Sequence, residues 1–294
     1  MARLHLVSKP FGFNFVIYIS FKKNVRMILQ NKNAVIYGAG GSLGGAVARA
    51  FAAAGAKVFL TGRTLNSVQK VAEDILASRG HAEAAEVDAL DEKAVNSYLT
   101  TIARKAGTVD ISFNAIGLQD TQDIPLTDMK LDDFIRPITI AMETQFLTST
   151  ASGRIMMKQR SGLILSLTAT PGGIGYPKVG GFGPACCAIE GFSRNLASEL
   201  GTYGVRVVNI RSAGSPDSRP FVDALANGGE EVKDFLTKLE EDTMLKKLPL
   251  MADIANVATF LASDLAGKIT GVTIDVTCGT TTGLNYKVPT IPFR

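Results

Sequence analysis

The 294-residue chain has no tryptophan, two histidines and three cysteines, and each scarcity closes a route to function. His5 and His81 stand apart from each other and from any acid cluster, so neither marks a metal site or a histidine acid–base pair. Cys186 and Cys187 are adjacent and Cys278 is distant, which matches neither a disulfide framework nor zinc-ligand spacing; no metal is expected. Basic runs are limited to Lys22-Lys23 and Lys246-Lys247 against a formal net charge of +4, so no footprint for nucleic acid stands out. Long apolar runs are missing too. Phe11 to Phe21 is too short to span a bilayer, contains Asn14, and is followed by two lysines rather than a small-residue cleavage site. No membrane association is expected, and unpaired cysteines with no export signal favour the cytoplasm.

What is present is the composition of a packed core, with 46% hydrophobic residues, 20% charged residues and 29 glycines. From Asn33 onward, short Val- and Ile-rich runs alternate with stretches of helical period, the pattern of repeated βα units around a parallel sheet. Strands are predicted at 33–37, 57–61, 82–87, 109–113, 162–167, 205–210 and 272–276. Helices are predicted near 43–54, 65–78, 91–106, 128–158, 183–202 and 252–263. The implied fold is α/β: a doubly wound parallel sheet in one Rossmann-type domain spanning 31–280. Residues 1–30, with Met27 just ahead of the first strand, read as an extension outside the core or an over-long start, and 281–294, with Pro289 and Pro292, as a tail. Between 214 and 250, Pro216, Pro220, Gly228-Gly229 and a charged run from Glu230 to Asp242 break the rhythm. A helical flap over a substrate cleft and a solvated surface excursion both fit this segment.

The first strand runs into Gly38-Ala39-Gly40-Gly41-Ser42-Leu43-Gly44 and then an Ala-rich helix. Such a turn lets backbone N–H groups and the positive end of a helix dipole approach a pyrophosphate. The second strand ends in Thr61-Gly62-Arg63, with no acid to accept from a ribose 2′-OH and with a guanidinium suited to a 2′-phosphate. NADP(H) is therefore favoured over NAD(H).

At this point the chain resembles the short-chain dehydrogenase/reductase family from about Asn33 to Gly279. The glycine motif matches Gly38 to Gly44, with Ser42 at the middle glycine. Asp88 and Ala89 match the adenine-side element, and Asn114-Ala115-Ile116-Gly117 is an altered Asn-Asn-Ala-Gly. Asp253-Ile254-Ala255 through Phe260 to Asp264 and on to Ile269-Thr270-Gly271 resembles the family's last helix and strand. The segment Arg211 to Pro216 departs from the usual Pro-Gly turn, leaving Gly214 to approach a nicotinamide amide through its backbone.

The resemblance implies carbonyl reduction by hydride, with Tyr as proton donor, Lys lowering its pKa, Ser placing the carbonyl and Asn completing a relay. Aligning on Gly191-Phe192-Ser193-Arg194 puts Phe182 at the Tyr position, Cys186 at the Lys, Ala169 at the Ser and Ala141 at the Asn. Phe has no proton to give, a thiol near pKa about 8.5 carries no fixed cation, and losing a positioned acid costs about 10²- to 10⁴-fold in rate. Tyr176, beside Lys178, and the hydroxyls of Thr168 and Thr170 are candidate substitutes. Two functions stay open. One is an NADP(H)-dependent oxidoreductase acting on an activated C=C or C=N bond of a small apolar substrate. The other is a non-redox role on the same scaffold: a cofactor-holding pseudoenzyme, a partner subunit, or an isomerase or cyclase. The family also implies a homo-oligomer, dimer or tetramer, formed through the 183–202 helix and the last strand.

Overall fold

The computed structural model describes residues 27–283. Seven strands form one parallel sheet: β1 (Asn33–Tyr37), β2 (Lys57–Gly62), β3 (His81–Glu86), β4 (Ile111–Asn114), β5 (Gly162–Ala169), β6 (Val205–Ser212) and β7 (Thr273–Val276), in the spatial order β3-β2-β1-β4-β5-β6-β7. Between them run α1 (Ser42–Ala53), α2 (Leu65–Ala77), α3 (Glu92–Ala106), α4 (Leu131–Gln159), α5 (Phe182–Leu200), α6 (Arg219–Asn227), α7 (Gly229–Glu241) and α8 (Met251–Ala262). The period-2 geometry of strands explains the layering. Ala34 and Ile36 face a core with Val47, Phe51 and Leu261, while Val35 and Tyr37 face one with Leu99, Met156 and Leu196. Both faces are thus covered, as a parallel sheet requires. Strand order reverses between β1 and β4, so the crevice for a ligand opens at the carboxyl ends of those two strands.

The predicted elements are all present, and their bounds shift for local reasons. Residue 109 is not part of β4, because the Gln159 side chain takes both its backbone groups: Val109 N donates to Gln159 Oε1 at 2.9 Å, and Gln159 Nε2 donates to Val109 O at 3.0 Å. β5 runs through Ala169, so that residue ends the strand rather than opening the loop. The core also starts earlier than residue 31, since Leu29 is fully buried and its amide donates to Ala54 O at 2.9 Å. Residues 1–26, with His5 and the Phe11 to Phe21 run, and 284–294, with Pro289 and Pro292, lie outside the described residues.

The 214–250 segment holds two helices, α6 and α7, neither of which buries a residue. Its ends are tethered. Arg219 N donates to Ser42 Oγ at 3.0 Å, Met251 N donates to the Asp217 carboxylate at 3.0 Å, and Leu245 N donates to Cys278 O at 3.2 Å.

Beneath the ends of β5, β6 and β7 lies a polar network that the sequence pattern did not signal. Arg211 donates through Nε to Glu190 Oε1 at 3.0 Å and through Nη1 to Asp275 Oδ1 at 2.9 Å. Thr168 Oγ1 donates to Glu190 Oε1 at 2.9 Å and accepts from Asn209 Nδ2 at 2.7 Å. The side chains of Glu190 and Arg211 are 6% and 13% exposed, so removing one partner strands a buried charge. Arg211→Met is expected to lower unfolding free energy by about 3–5 kcal/mol. Glu190→Leu/Arg211→Met should recover most of that in urea denaturation, and a double variant as unstable as the single one would refute the pairing.

Candidate functional site

Two clefts open at the carboxyl ends of the strands. The larger, of 590 Å³, follows the β1–β4 switch point from Arg63 and Asp88 at one end to Ile140 and Thr144 of α4 at the other. Its floor is the glycine turn. Gly38 has φ +73°, and a Cβ there would come within 2.6 Å of Ala115 O, so both the turn and the approach of β4 exclude a side chain. α1 starts directly after Gly41, has no acid in its first turn, and leaves its positive end unneutralised toward this cleft.

Of the residues predicted to hold a cofactor, Gly38, Gly40, Gly41 and Arg63 line this cleft, as do Asp88, Ala89, Ala115 and Ile116. The others shape it from behind. Ser42 accepts from Arg219 N, Leu43 packs on the core, and Gly44 lies against the Gly38 carbonyl. Asn114 is buried, donating to Thr148 Oγ1 at 3.2 Å and accepting from Ile116 N at 3.1 Å, which fixes the 114–116 turn. Gly214 faces the Phe221 ring, where a Cβ would sit 2.7 Å from ring carbon Cζ.

The residues fit a dinucleotide: a side-chain-free cradle beside a helix N-terminus, an exposed Arg63, and an Asp88 whose Oδ1 is fixed by Leu90 N at 3.0 Å. Among the described residues Arg63 makes no ion pair. Sequence reasoning missed Thr64 and Ser67, which line the same end with their hydroxyls 3.1 Å apart. Their signal was legible, as hydroxyls directly after and four residues after Arg63.

Of the four positions aligned with the family's reactive groups, two, Ala141 and Phe182, belong to one apolar cluster. Ala141 on α4 is fully buried in a cluster with Leu118, Ala185 and Ile189, and Phe182, the first residue of α5, packs against it. Cys186, one turn further, is 1% exposed. Burial pushes its thiol up to about 12, opposed by a hydrogen bond with the Ala169 backbone and reinforced by the acids Glu190 and Asp120. A neutral thiol therefore stands there. The Ala169 backbone hydrogen-bonds with that thiol.

The candidate substitutes lie elsewhere or are engaged. Thr168 belongs to the Glu190 network, and Thr170 Oγ1 donates to Ser212 O at 3.4 Å. Tyr176 lines the second cleft, of 470 Å³, with Lys178 and the exposed Cys187. Burial, with Asp242 nearby, raises its hydroxyl above the usual tyrosine range, so it is a poorer acid than a free phenol. Among the described residues no group of three metal-ligating side chains occurs, and no helix is long and apolar enough to cross a membrane.

A family model described as enoyl-(acyl carrier protein) reductase matches residues 38–281. The chain is 31% identical over 252 residues to the 3-oxoacyl-[acyl-carrier-protein] reductase of Aquifex aeolicus, covering 85% of this chain and 98% of that one. It is 31% identical over 260 residues to the 2,3-dihydro-2,3-dihydroxybenzoate dehydrogenase of Bacillus subtilis, covering 87% and 98%. Among solved structures, NAD⁺-bound xylitol dehydrogenase superposes with a TM-score of 0.79 at 25% identity, covering 85% of this chain and 99% of that one. A gluconate 5-dehydrogenase from Burkholderia cenocepacia in complex with NADP and tartrate gives 0.79 at 21% identity, covering 88% and 98%.

The two adjacent thiols are expected to separate chemically. At pH 8 a thiol of pKa about 12 is thiolate to roughly one part in ten thousand, and burial shields Cys186 further. Iodoacetamide followed by mass mapping should modify exposed Cys187 in the native protein and Cys186 only after unfolding. Equal native labelling of both would refute the assignment.

Proposed function

The chain belongs to the short-chain dehydrogenase/reductase family, whose matched relatives are oxidoreductases, and from that premise we propose that it is an NADP(H)-dependent oxidoreductase with an atypical active site. Its acceptor is an activated C=C or C=N bond of a small apolar molecule, not a simple ketone. The observation that carries the reading is the pairing of a complete nucleotide cleft with an apolar, uncharged wall where the family's acid and ammonium stand.

The chain's own residues divide the work. The α1 N-terminus and the Gly38–Gly41 turn would hold the pyrophosphate, and Asp88 with Ala89 the adenine side. Arg63, joined by Thr64 and Ser67, would hold a 2′-phosphate, a planar cation flanked by two hydroxyls. Glu86, the acid paired with Gly62 across β2 and β3, is turned to the Leu65 amide at 3.2 Å. Structural neighbours were solved with NAD⁺ and with NADP, so the preference rests on this chain's residues. When bound, the nicotinamide supplies hydride. Phe182 packs on the buried Ala141 and Leu118, and no side chain at the four aligned positions would donate a proton to a developing alkoxide. Ketone reduction would lack that acid.

We also propose a cytoplasmic homo-oligomer. Phe146 on α4 is 56% exposed and stands 6.4 Å, centroid to centroid, from Phe192 on α5, an apolar pair suited to a second copy. Sedimentation velocity should show at least a dimer, and a monomer throughout the micromolar range would remove this element.

The cofactor assignment predicts a thermal shift. NADPH at 100 times its dissociation constant should stabilise the fold by about 2.7 kcal/mol, with NADH doing less at equal concentration. Arg63→Ala should erase the difference between the two. NADPH consumption should follow with activated acceptors and fail with simple ketones, whereas no stabilisation by any nucleotide would sink the oxidoreductase reading.

A further inference from the structure

The second cleft, of 470 Å³, shares no lining residue with the nucleotide cleft, and its floor is held in place from below. That floor is Gly172 and Gly173, which lie directly on the buried Glu190–Arg211 pair. A Cβ at Gly172 would collide with Glu190 Oε1, and one at Gly173 would come within 2.7 Å of Arg211 Nη1. Gly172 O accepts from Arg211 Nη2 at 3.5 Å. The ion pair therefore ties this loop backbone to α5 and β6, while its own charges are engaged with each other beneath the floor.

The walls are of two kinds. Leu126, Ile174 and Val179 supply apolar surface, and Lys178 is the single charged side chain among the lining residues. No acid lines the cleft; Asp242, which lies near Tyr176, is not among the lining residues. Among the described residues Lys178 makes no ion pair. Its backbone adopts φ +60°, and its carbonyl accepts from Asp123 N at 2.9 Å, so the turn that carries the ammonium is pinned to the loop after β4. Tyr176 adds a phenol that burial keeps protonated, and hence a donor. An unpaired cation beside apolar walls favours a ligand with an apolar body and one negative end, because its attraction for that end is screened less there than in open water.

Going beyond the oxidoreductase reading and not resting on it, we propose that the second cleft is a binding site for a small apolar carboxylate. The apolar part lies against Leu126, Ile174 and Val179, and the carboxylate meets the Lys178 ammonium. Cys187 reports on occupancy: it lines the same cleft, is exposed, and its Sγ donates to the floor at Gly172 O at 3.7 Å.

The test uses 4-phenylbutyrate and its amide, 4-phenylbutyramide, which share an apolar body and differ in charge. Each is titrated calorimetrically into the full protein at low ionic strength, without nucleotide. The carboxylate should bind about fivefold more tightly, the range of a partly exposed charge pair. Lys178→Met should erase that preference, and Lys178→Arg should keep it. In the native protein 4-phenylbutyrate should slow iodoacetamide alkylation of Cys187 several-fold, read by peptide mass mapping, and at the same concentration it should not do so in Lys178→Met. NADPH should neither displace the carboxylate nor protect Cys187. No binding of the carboxylate at millimolar concentration, equal binding of the two probes, or a preference unmoved in Lys178→Met would overturn the inference. Binding that leaves Cys187 alkylation unchanged, or that NADPH competes away, would overturn it as well by placing the ligand elsewhere. None of these results bears on the cofactor assignment, which the thermal shifts with NADPH and NADH decide separately.

Discussion

The close approach of β1 to β4 at Gly38 is the constraint on which the site depends. At φ +73°, with no room for a Cβ against Ala115 O, Gly38 lets the chain turn out of β1 while the Ala115–Ile116 backbone closes in from β4. The surrounding contacts tighten the same turn: Ala39 N donates to Thr61 O at 3.1 Å, and Gly41 N donates to Gly38 O at 3.0 Å. Those bonds join β1, β2 and the start of α1. They place the helix's positive end, Arg63 at the end of β2 and Asp88 beyond β3 around one crevice. A substituent at Gly38 would push apart two parallel strands that the sheet holds in register, so geometry and nucleotide recognition cannot be separated there.

The reactive end follows a different logic, in which the polar groups lie in the layer below the apolar cluster. Ala141, Phe182 and Ala169 carry no ionisable group, while one helical turn past Cys186 a carboxylate lies buried and satisfied by Arg211 and Thr168. Burying an ion pair seldom adds net stability, and its value is more often to fix a unique arrangement. Here the pair ties α5 to β6 and, through Asp275, to β7, so the helix bearing Phe182 and Cys186 is clamped to the sheet by directional bonds. Burial above all keeps the thiol of Cys186 neutral, and the nearby acids add to the effect.

How legible this was from the sequence depended on whether a signal was local. Strands such as Ala34 to Tyr37 were plain because a strand covered on both faces must be apolar throughout, and the glycine turn because its meaning lies in the strand before it and the helix after it. Phe182 and Cys186 were assigned by alignment to the family's pattern, with the helix expected from 183; it begins one residue earlier, at Phe182. What spacing cannot show is whom a side chain meets. Glu190 reads as one polar residue on a long amphipathic helix, and its partners are 21 and 22 residues away on other elements. Tyr176, close in sequence to Phe182, lines a separate cleft because the 170–181 loop carries it past the wall. The bounds that shifted did so for similar reasons: a side chain, Gln159, took the backbone groups of Val109 that the propensity of β4 would have paired.

The 214–250 segment is tied to the glycine turn through one hydroxyl. Ser42, where the family's motif carries a glycine, accepts from the first amide of α6 at 3.0 Å, so the glycine turn and the 214–250 segment share a hydrogen bond. Neither α6 nor α7 buries a side chain, which leaves the segment dependent on its tethers: Ser42 at one end, and Asp217 and the Leu245–Cys278 backbone bond at the other.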